Sequence, residues 1–451
     1  MLKSLTLSPM RSQLKLTAHF NLPLYRNGYA LLLSGILSSA LGMVYWFLAA
    51  HTYSPTVVGL NSAAISALML LSGIAQMSMN SALIRFIPRA GALTQRLILA
   101  CYGISCVLAV AIGVLYGWGI AWWTPALAPY LQTPLALALF CGAIASWSIY
   151  ALQDSVLAGL RQSVWVPVEN TLGALLKIGL LLLFINWLPT YGIFAAWMIP
   201  VLLSVAPINY LLFTRLIPAH VRTSAHCAQP LPWRTVSHYV VGNYAGTLFY
   251  LGYATLLPIL VTTRVSASAN AYFYIPWMLA TALQLIALNL TTSLTVEGAR
   301  DEVKLGIYCW RVLQQALYLV TPLAALLWIG TPFLLQLFGA DYAHAGTALL
   351  RLLTIAALPN ILVMLHLSVA RVQNRVRGVS MAQGLLCLVL LGVSYWLLPS
   401  LGITAVGWAA LAGQSSTALW TLFTPLRTLL GQGYRSRQQL VTATGRDNLD
   451  Y

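Results

Sequence analysis

Residues 96–118 read RLILACYGISCVLAVAIGVLYGW, and no charged side chain follows Arg96 within this run. About 20 consecutive apolar residues, wound as a helix, match the ~30 Å hydrocarbon core of a bilayer. A helix pairs its own backbone groups, which water cannot do for it inside lipid. The run therefore predicts a transmembrane helix.

Similar runs fill the rest of the chain. Hydrophobic residues make up 59% of its 451 residues and charged residues only 7%, whereas a soluble domain carries roughly 25% charged residues. We therefore predict an all-α polytopic membrane protein with about twelve transmembrane helices. The predicted spans are 28–50, 58–80, 96–118, 134–157, 168–187, 192–214, 238–261, 271–293, 308–330, 347–370, 379–398 and 402–424.

The placement of basic residues predicts the orientation. Of the 24 Lys and Arg residues, 21 fall in the terminal segments and in alternate loops, and the opposite loops hold only Arg264. Lys and Arg accumulate in cytoplasmic loops, so we expect both termini in the cytoplasm, an inner (plasma) membrane location and a first run retained as a signal-anchor. The net charge of +16 then reflects topology and contact with membrane lipids rather than nucleic acid.

The two halves of the chain resemble each other. Residues 188–195, LPTYGIFA, match residues 398–405, LPSLGITA, and Arg161 matches Arg371 at the same offset of 210. Parallel repeats of six spans predict two lobes about an axis along the membrane normal, with a substrate cleft between them. The predicted segments are an N-terminal segment 1–27, an N-lobe 28–214, a cytoplasmic linker 215–237, a C-lobe 238–424 and a cytoplasmic tail 425–451.

Motifs for catalysis or cofactor binding are missing from the sequence. None of the four lysines follows a glycine, which excludes a Walker A motif, and no pattern matches a zinc site. The six cysteines form no pattern of a disulfide framework. We therefore expect a transporter or flippase rather than an enzyme, with no cofactor and no metal.

Lys177 is the sharpest signal because it lies near the middle of the fifth predicted span. An isolated cation there costs at least about 2.5–3.5 kcal/mol, so it should face a partner or a wet cavity. Asp154 lies near the cytoplasmic end of span four, and Glu169 lies at the start of span five itself, eight residues before Lys177. Two interpretations stay open: a structural bridge from Lys177 to one of these carboxylates, or a position in the central cavity that meets an anionic substrate.

Other polar residues in or beside the spans are further candidates for a substrate cleft. Arg351, Arg26 and Arg264 either line the path or serve topology and lipid contact. The uncharged candidates either line a sugar-compatible cleft or only join helices by hydrogen bonds. They are Gln76, Asn80, Gln153, Asn243, Tyr244 and Gln284.

Several short motifs carry a family resemblance. Residues 54–59 (SPTVVG) and 81–88 (SALIRFIP) resemble turns of polysaccharide biosynthesis proteins. Residues 337–345 (LFGADYAHA) with 350–353 (LRLL), and 402–407 (GITAVG), look like the matching patterns of the second half. In this order, with twelve spans and a duplication, they resemble the Wzx-type O-antigen and exopolysaccharide flippases of the multidrug/oligosaccharidyl-lipid/polysaccharide superfamily over residues 25–425.

That resemblance implies a V-shaped, two-lobed fold with a cationic central cavity. It implies a flippase that moves an undecaprenyl-diphosphate-linked oligosaccharide to the periplasmic leaflet by alternating access. Lys177 and Arg351 would then meet diphosphate or acidic sugar, and Arg85 matches the family's arginine at the end of span two. Implied partners are this lipid-linked oligosaccharide, membrane lipids, and a polysaccharide polymerase with its chain-length machinery.

Three alternatives remain on sequence grounds. A cation-coupled multidrug exporter of the same superfamily needs an intramembrane carboxylate, and the acids nearest membrane depth are Asp154 and Glu169. A membrane polymerase or ligase needs acidic or histidine side chains outside the membrane, and in the external loops Asp341 is the only acid. A non-transporting assembly partner would have a cleft lined only by lipid-like side chains.

Overall fold

The computed structural model describes residues 23–131, 133–224, 233–300, 304–373 and 375–434. Within these ranges all the regular secondary structure is helical. The helices are α1 Pro23–Thr52, α2 Pro55–Gln76, α3 Met79–Ala90, α4 Thr94–Trp123, α5 Pro134–Gly159, α6 Trp165–Trp187, α7 Gly192–Leu211, α8 Ile217–Ser224, α9 Trp233–Arg264, α10 Ala267–Arg300, α11 Leu305–Gln336, α12 Ala340–Val372, α13 Val376–Leu401, α14 Thr404–Thr421 and α15, residues 425–434.

The all-α prediction is confirmed, and each predicted span falls largely on one helix. Ten helical segments of the described chain are long and apolar enough to cross a membrane. The helices that hold the first and last predicted spans, α1 and α14, are not among those ten. In α14 the polar run from Gln414 to Thr417 lowers the hydropathy. The protein is a multi-pass membrane protein.

Span two, predicted to run to residue 80, ends earlier. Helix α2 ends at Gln76, and α3 begins at Met79. Between them Met77 and Ser78 take positive φ values of 47° and 62°. Two consecutive left-handed residues cannot continue a right-handed helix. No Gly or Pro lies at 77–80, so the local sequence contains none of the usual break signals.

Two segments predicted as linker and tail are partly helical. A π-helical turn, Leu212–Leu216, carries the chain from α7 into α8, so helical structure extends ten residues past the predicted end of span six. Helix α15 lies inside the predicted tail, and its Leu426 is completely buried with Leu305, Leu365 and Val369. These amphipathic turns acquire their order from tertiary contacts, which hydropathy alone does not reveal. The predicted basic residues of 1–22 and the rest of the tail lie outside the described residues.

The chain forms two compact units. The first comprises Met1–Ala49, Leu71–Gly119 and Tyr130–Val241, and the second comprises Ala50–Leu70, Ile120–Pro129 and Gly242–Tyr451. In the first, α5 packs on α3 and α7, and α6 packs on α7. In the second, α12 packs against α10, α11 and α14, and α13 packs against α14. The lobe and linker boundaries drawn from the sequence remain predictions.

Candidate functional site

Three helices of the first unit bring Lys177 between two tryptophans. Its Nζ atom lies 4.0 Å from the ring centroid of Trp197 on α7 and 5.9 Å from that of Trp147 on α5. The two indoles are stacked, with centroids 6.2 Å apart and planes 27° apart. An ammonium over an indole face gains a cation–π attraction, which is stronger where water is excluded. These rings therefore offset part of the cost of a mid-span cation.

Helix α1 completes this aromatic cluster, which we define as Tyr45, Trp46, Trp147, Lys177 and Trp197. Tyr45 and Trp46 contact Trp197 at centroid distances of 5.6 and 6.2 Å. Both are only 2% exposed. The Tyr45 hydroxyl donates to the Ile193 carbonyl at 2.7 Å, which ties α1 to the start of α7. The ring cluster is thus fixed on several sides.

The cluster presents hydrogen-bond donors without acceptors. Lys177 has its ring contacts but no hydrogen bond or ion pair with the described residues. The Trp197 indole Nε1 is buried and likewise has no partner there. An ammonium and an indole N–H can only donate. The side chains of this site therefore match a ligand that supplies acceptor oxygens.

The two candidate carboxylates lie in a second layer of the same helices. Glu169 is eight residues before Lys177 on α6, about 12 Å along the helix axis. Asp154 is seven residues after Trp147 on α5, about 10 Å away by the same measure. The structure therefore does not bring Lys177 into an ion pair with either carboxylate among the described residues. The predicted bridge is absent there, because the rise of the helix separates the charges.

This acidic layer is poorly paired. Ser204 interacts with Glu169, although neither buried carboxylate oxygen of Glu169 makes a well-aligned hydrogen bond with a described residue, and Oδ1 of Asp154 is likewise buried without one. Asn170 interacts with Asp154, and its side-chain oxygen accepts a hydrogen bond from the Tyr150 hydroxyl. Burying a charged carboxylate without partners costs several kcal/mol, and such groups favour their neutral form or a bound cation. The layer is thus chemically distinct from the aromatic cluster.

The remaining candidates of the first unit do not converge on Lys177. The Gln76 amide donates to the Ser72 hydroxyl at 2.9 Å, and Ser148 joins α5 to the same hydroxyl at 3.2 Å. Gln153 is completely buried, and both its amide atoms lack partners in the described chain. Gln76 therefore bonds within its own helix, and Ser148 makes the contact between α2 and α5. The Gln153 amide is left without a hydrogen bond to the described residues.

Asn80 and Arg85 lie on the short helix α3. The Asn80 side chain accepts a hydrogen bond from the Ser81 amide at 2.8 Å, next to the break at Met77 and Ser78. The Arg85 guanidinium lies 4.5 Å from the ring centroid of Tyr239. Both residues thus have local structural contacts.

The basic candidates of the second unit also lie over aromatic rings. The Arg264 guanidinium is 3.7 Å from the centroid of Tyr395, and that of Arg351 is 4.7 Å from the centroid of Trp328. The Arg351 Nε also donates to the Trp328 carbonyl at 3.4 Å. Asn243, Tyr244 and Gln284 are half-buried on α9 and α10. Arg26 lies on α1, but its side chain is outside the described residues.

Sequence reasoning missed Trp197, Tyr45 and Trp46. Aromatic residues in membrane proteins usually mark the interfaces, so these three suggested no site. The available signal was depth: Trp197 lies six residues inside α7, and Tyr45 and Trp46 lie well inside the first predicted span. The cluster could have been predicted from tryptophans that lie inside predicted spans, away from the membrane–water interface, together with a lysine inside another span.

Comparison with known sequences finds no match: no protein-family model and no curated protein corresponds to the chain. Solved structures do correspond in fold. One is described as the inward-facing conformation of a multidrug resistance MATE family transporter of the MOP superfamily. It has a TM-score of 0.66 at 15% identity and covers 87% of this chain and 95% of its own.

Two more structures extend the range of functions on this fold. The lipid II flippase MurJ, in an inward closed conformation, has a TM-score of 0.67 at 13% identity, covering 93% of this chain and 92% of its own. The third is a MOP superfamily transporter from Pyrococcus furiosus, described as having a binding pocket of reverse polarity. It has a TM-score of 0.61 at 14% identity and covers 90% of this chain and 96% of its own. The chain therefore has the fold of MOP superfamily transporters.

Proposed function

We propose that this protein is a flippase that moves a lipid-linked oligosaccharide from the cytoplasmic to the periplasmic leaflet by alternating access. The fold supports this assignment because it is shared with transporters, one of them described as a lipid II flippase. The motifs at 54–59 and 81–88 favour an undecaprenyl-diphosphate-linked glycan of O-antigen, capsule or exopolysaccharide. We place the protein in the bacterial inner membrane with cytoplasmic termini, as its basic loops predict.

The observation that carries the proposal is the pair of donors in the aromatic cluster, the Lys177 ammonium and the Trp197 indole, that have no acceptor among the described residues. A diphosphate or acidic sugar would supply the acceptor oxygens that the ammonium and the Trp197 indole lack. Charge-assisted hydrogen bonds of this kind are roughly twice as strong as neutral ones. The flat faces of Trp147 and Trp197 also suit the apolar faces of sugar rings. A cationic drug, in contrast, would meet like charge at Lys177.

Energetics favour outward movement of such a substrate. Each negative charge that leaves a negative interior gains about 2.3 kcal/mol per 100 mV of membrane potential. The lipid tail can stay in the bilayer, so only the polar head needs protein contacts. Net transport thus requires no ATP site, consistent with the missing Walker A motif.

The test is rescue of a strain that lacks the protein. Wild type, Lys177→Arg, Lys177→Met and the matched control Lys304→Met, whose lysine is exposed outside the predicted spans, are expressed at equal levels in the membrane. We expect lipid-linked oligosaccharide to accumulate on the cytoplasmic leaflet without the protein. Wild type, Lys177→Arg and Lys304→Met should relieve this accumulation, whereas Lys177→Met should not.

Two results would contradict the proposal. If the deletion strain accumulates no lipid-linked oligosaccharide, the flippase function is wrong. If Lys177→Met, present at the wild-type level, relieves the accumulation fully, the Lys177 cation has no part in the path.

A second candidate function is a cation-coupled multidrug exporter, which the acidic layer favours. The buried carboxylates of Glu169 and Asp154, which have oxygens without a well-aligned hydrogen bond, offer what a coupling proton or cation requires. Efflux of cationic dyes from energised vesicles distinguishes the two functions. If the protein is an exporter, wild type should transport the dye and Glu169→Gln should not. If it is a flippase, neither wild type nor Glu169→Gln should transport the dye.

A further inference from the structure

A cavity of about 510 Å³ lies in the second unit, where α12, α13, α14 and α15 meet. Its polar lining comes from His366, Gln373, Arg375, Arg377 and Thr424, with Trp420 beside them. Among the described residues, its lining contains no Asp or Glu. None of these residues was a candidate for the transport path, so the cavity is a separate feature of the protein.

His366 is the buried polar group of this cavity. It is 5% exposed, and its ring lies 5.3 Å from that of Trp420. The Thr424 hydroxyl donates to the Thr421 carbonyl at 2.5 Å, which leaves its oxygen to accept from the His366 Nδ1, 3.2 Å away. His366 also interacts with the Gly378 backbone, although its Nε2 makes no well-aligned hydrogen bond with a described residue. The neighbouring lining residue is Gly378. A β-carbon added to Gly378 would lie 3.7 Å from the Nε2 atom of His366.

Two arginines, Arg375 and Arg377, line the same cavity as this imidazole. Arg375 immediately precedes α13 and Arg377 lies in its first turn. Both are exposed, and neither side chain bonds to a described residue. The Arg375 carbonyl accepts from the Gly378 and Val379 amides, and the first N–H groups of an α-helix have no partner inside the helix. Helix N-termini with free N–H groups and a positive dipole end attract phosphate groups.

The first half of the sequence repeat lacks the histidine and the two arginines that line this cavity. At an offset of 210 residues, His366, Arg375 and Arg377 correspond to Val156, Trp165 and Pro167. The first half thus lacks the imidazole and both of these cations, although Thr214 matches Thr424. The combination of a buried imidazole with two arginines is therefore a feature of the second half alone, and not a requirement of the repeated fold.

We propose that this cavity binds the phosphate group of an anionic membrane lipid, independently of the transported substrate. The two arginines and the α13 N-terminus would hold the phosphate oxygens, and His366 would bond a third polar atom of the headgroup. A lipid is favoured because α12 and α13 are both candidate spans and the cavity lies where they end and begin, at headgroup depth. Its volume exceeds ten times the ~30 Å³ share of one water, which leaves room for a glycerol group. Met381, 63% exposed on the lining, would contact the acyl region.

The test measures lipid binding to the purified full chain by native mass spectrometry. Phosphatidylglycerol is titrated into wild type, the double variant Arg375→Gln/Arg377→Gln, and the cavity-filling variant Gly378→Leu. The matched control is Arg89→Gln/Arg311→Gln, which removes two exposed arginines outside the cavity. Competition with inorganic phosphate and pyrophosphate separates a lipid from a free anion.

We expect at least about a tenfold loss of phosphatidylglycerol affinity in the first double variant, because charge-assisted hydrogen bonds are roughly twice as strong as neutral ones. Gly378→Leu should weaken binding as well, and the control should bind like wild type. Equal binding by all variants, or an equal loss in both double variants, would overturn the proposal. Full displacement by millimolar phosphate would overturn the lipid source and leave a site for a free anion.

Discussion

The Asn270 side chain of α10 donates hydrogen bonds to the Gly59 carbonyl at 2.8 Å and to the Ser62 hydroxyl at 3.0 Å. Asn270 is completely buried at this crossing of α2 and α10 within the second unit. Gly59 ends the motif at 54–59 that suggested the family resemblance. The helices approach so closely that a β-carbon on Gly59 would lie 1.6 Å from the Ala267 carbonyl oxygen. The motif glycine thus serves helix packing.

Gly59→Ala should destabilise the second unit. The new methyl would overlap backbone atoms, which cannot move aside as a side chain can. Overpacking typically costs about 1–3 kcal/mol, and we expect the upper end of that range. Thermal unfolding monitored by size-exclusion chromatography measures the change. Gly392→Ala is the control, because nothing lies within 4 Å of its β-carbon position; equal stability of the two variants would disprove the close packing.

Asn270→Asp should strongly lower the stability of the protein, although the two side chains have nearly the same size. The substitution replaces an N–H donor with a carboxylate oxygen that faces the Gly59 carbonyl. A buried charge without a partner costs about 3–5 kcal/mol. We expect poor expression or a strongly lowered midpoint of thermal unfolding. Asn270→Leu, which has a similar size but no charge, should lower the midpoint less. Equal losses in the two variants would show that the charge is not the cause.

Lys177→Met should separate stability from transport. The methionine keeps the length of the stem but removes an ammonium whose intramembrane cost is about 2.5–3.5 kcal/mol, part of which the cation–π contacts return. We therefore expect thermal stability equal to or above that of wild type, together with loss of transport. A Lys177→Met protein that is clearly less stable than wild type would show that the lysine serves packing of the aromatic cluster.

Leu426→Ala should destabilise the contact of α15 with the rest of the second unit. Leu426 is completely buried in a cluster with Leu305 and Val369, and truncating such a side chain costs about 2–5 kcal/mol. Limited proteolysis near residue 425 and the thermal midpoint report the effect. Arg427→Ala, at an exposed neighbouring position, should stay within about 0.5 kcal/mol of wild type. Equal protease resistance of both variants would mean that α15 adds no stability.

The sequence by itself determined the helices and the class of protein. Apolar runs such as 96–118 are local signals, and in lipid a helix satisfies its own backbone whatever its neighbours are. The spacing of charges, the repeat at an offset of 210 and the isolated Lys177 are also readable without a fold. The break at Met77 and Ser78 was not readable, because those residues do not carry the usual chemistry of a helix break.

Only the tertiary structure decided the partners of each polar side chain. The sequence offered two carboxylates as partners of Lys177. The rise of α6 keeps Glu169 about 12 Å away along the helix axis, and Lys177 contacts the rings of Trp147 and Trp197 instead. Those rings come from helices on either side of α6 in the sequence, and Tyr45 comes from more than a hundred residues earlier. Likewise, His366 and Arg375 share a cavity only because α12 and α13 turn back on each other. Hydropathy is a property of each segment, whereas a binding site requires segments to meet, and packing alone determines which faces do.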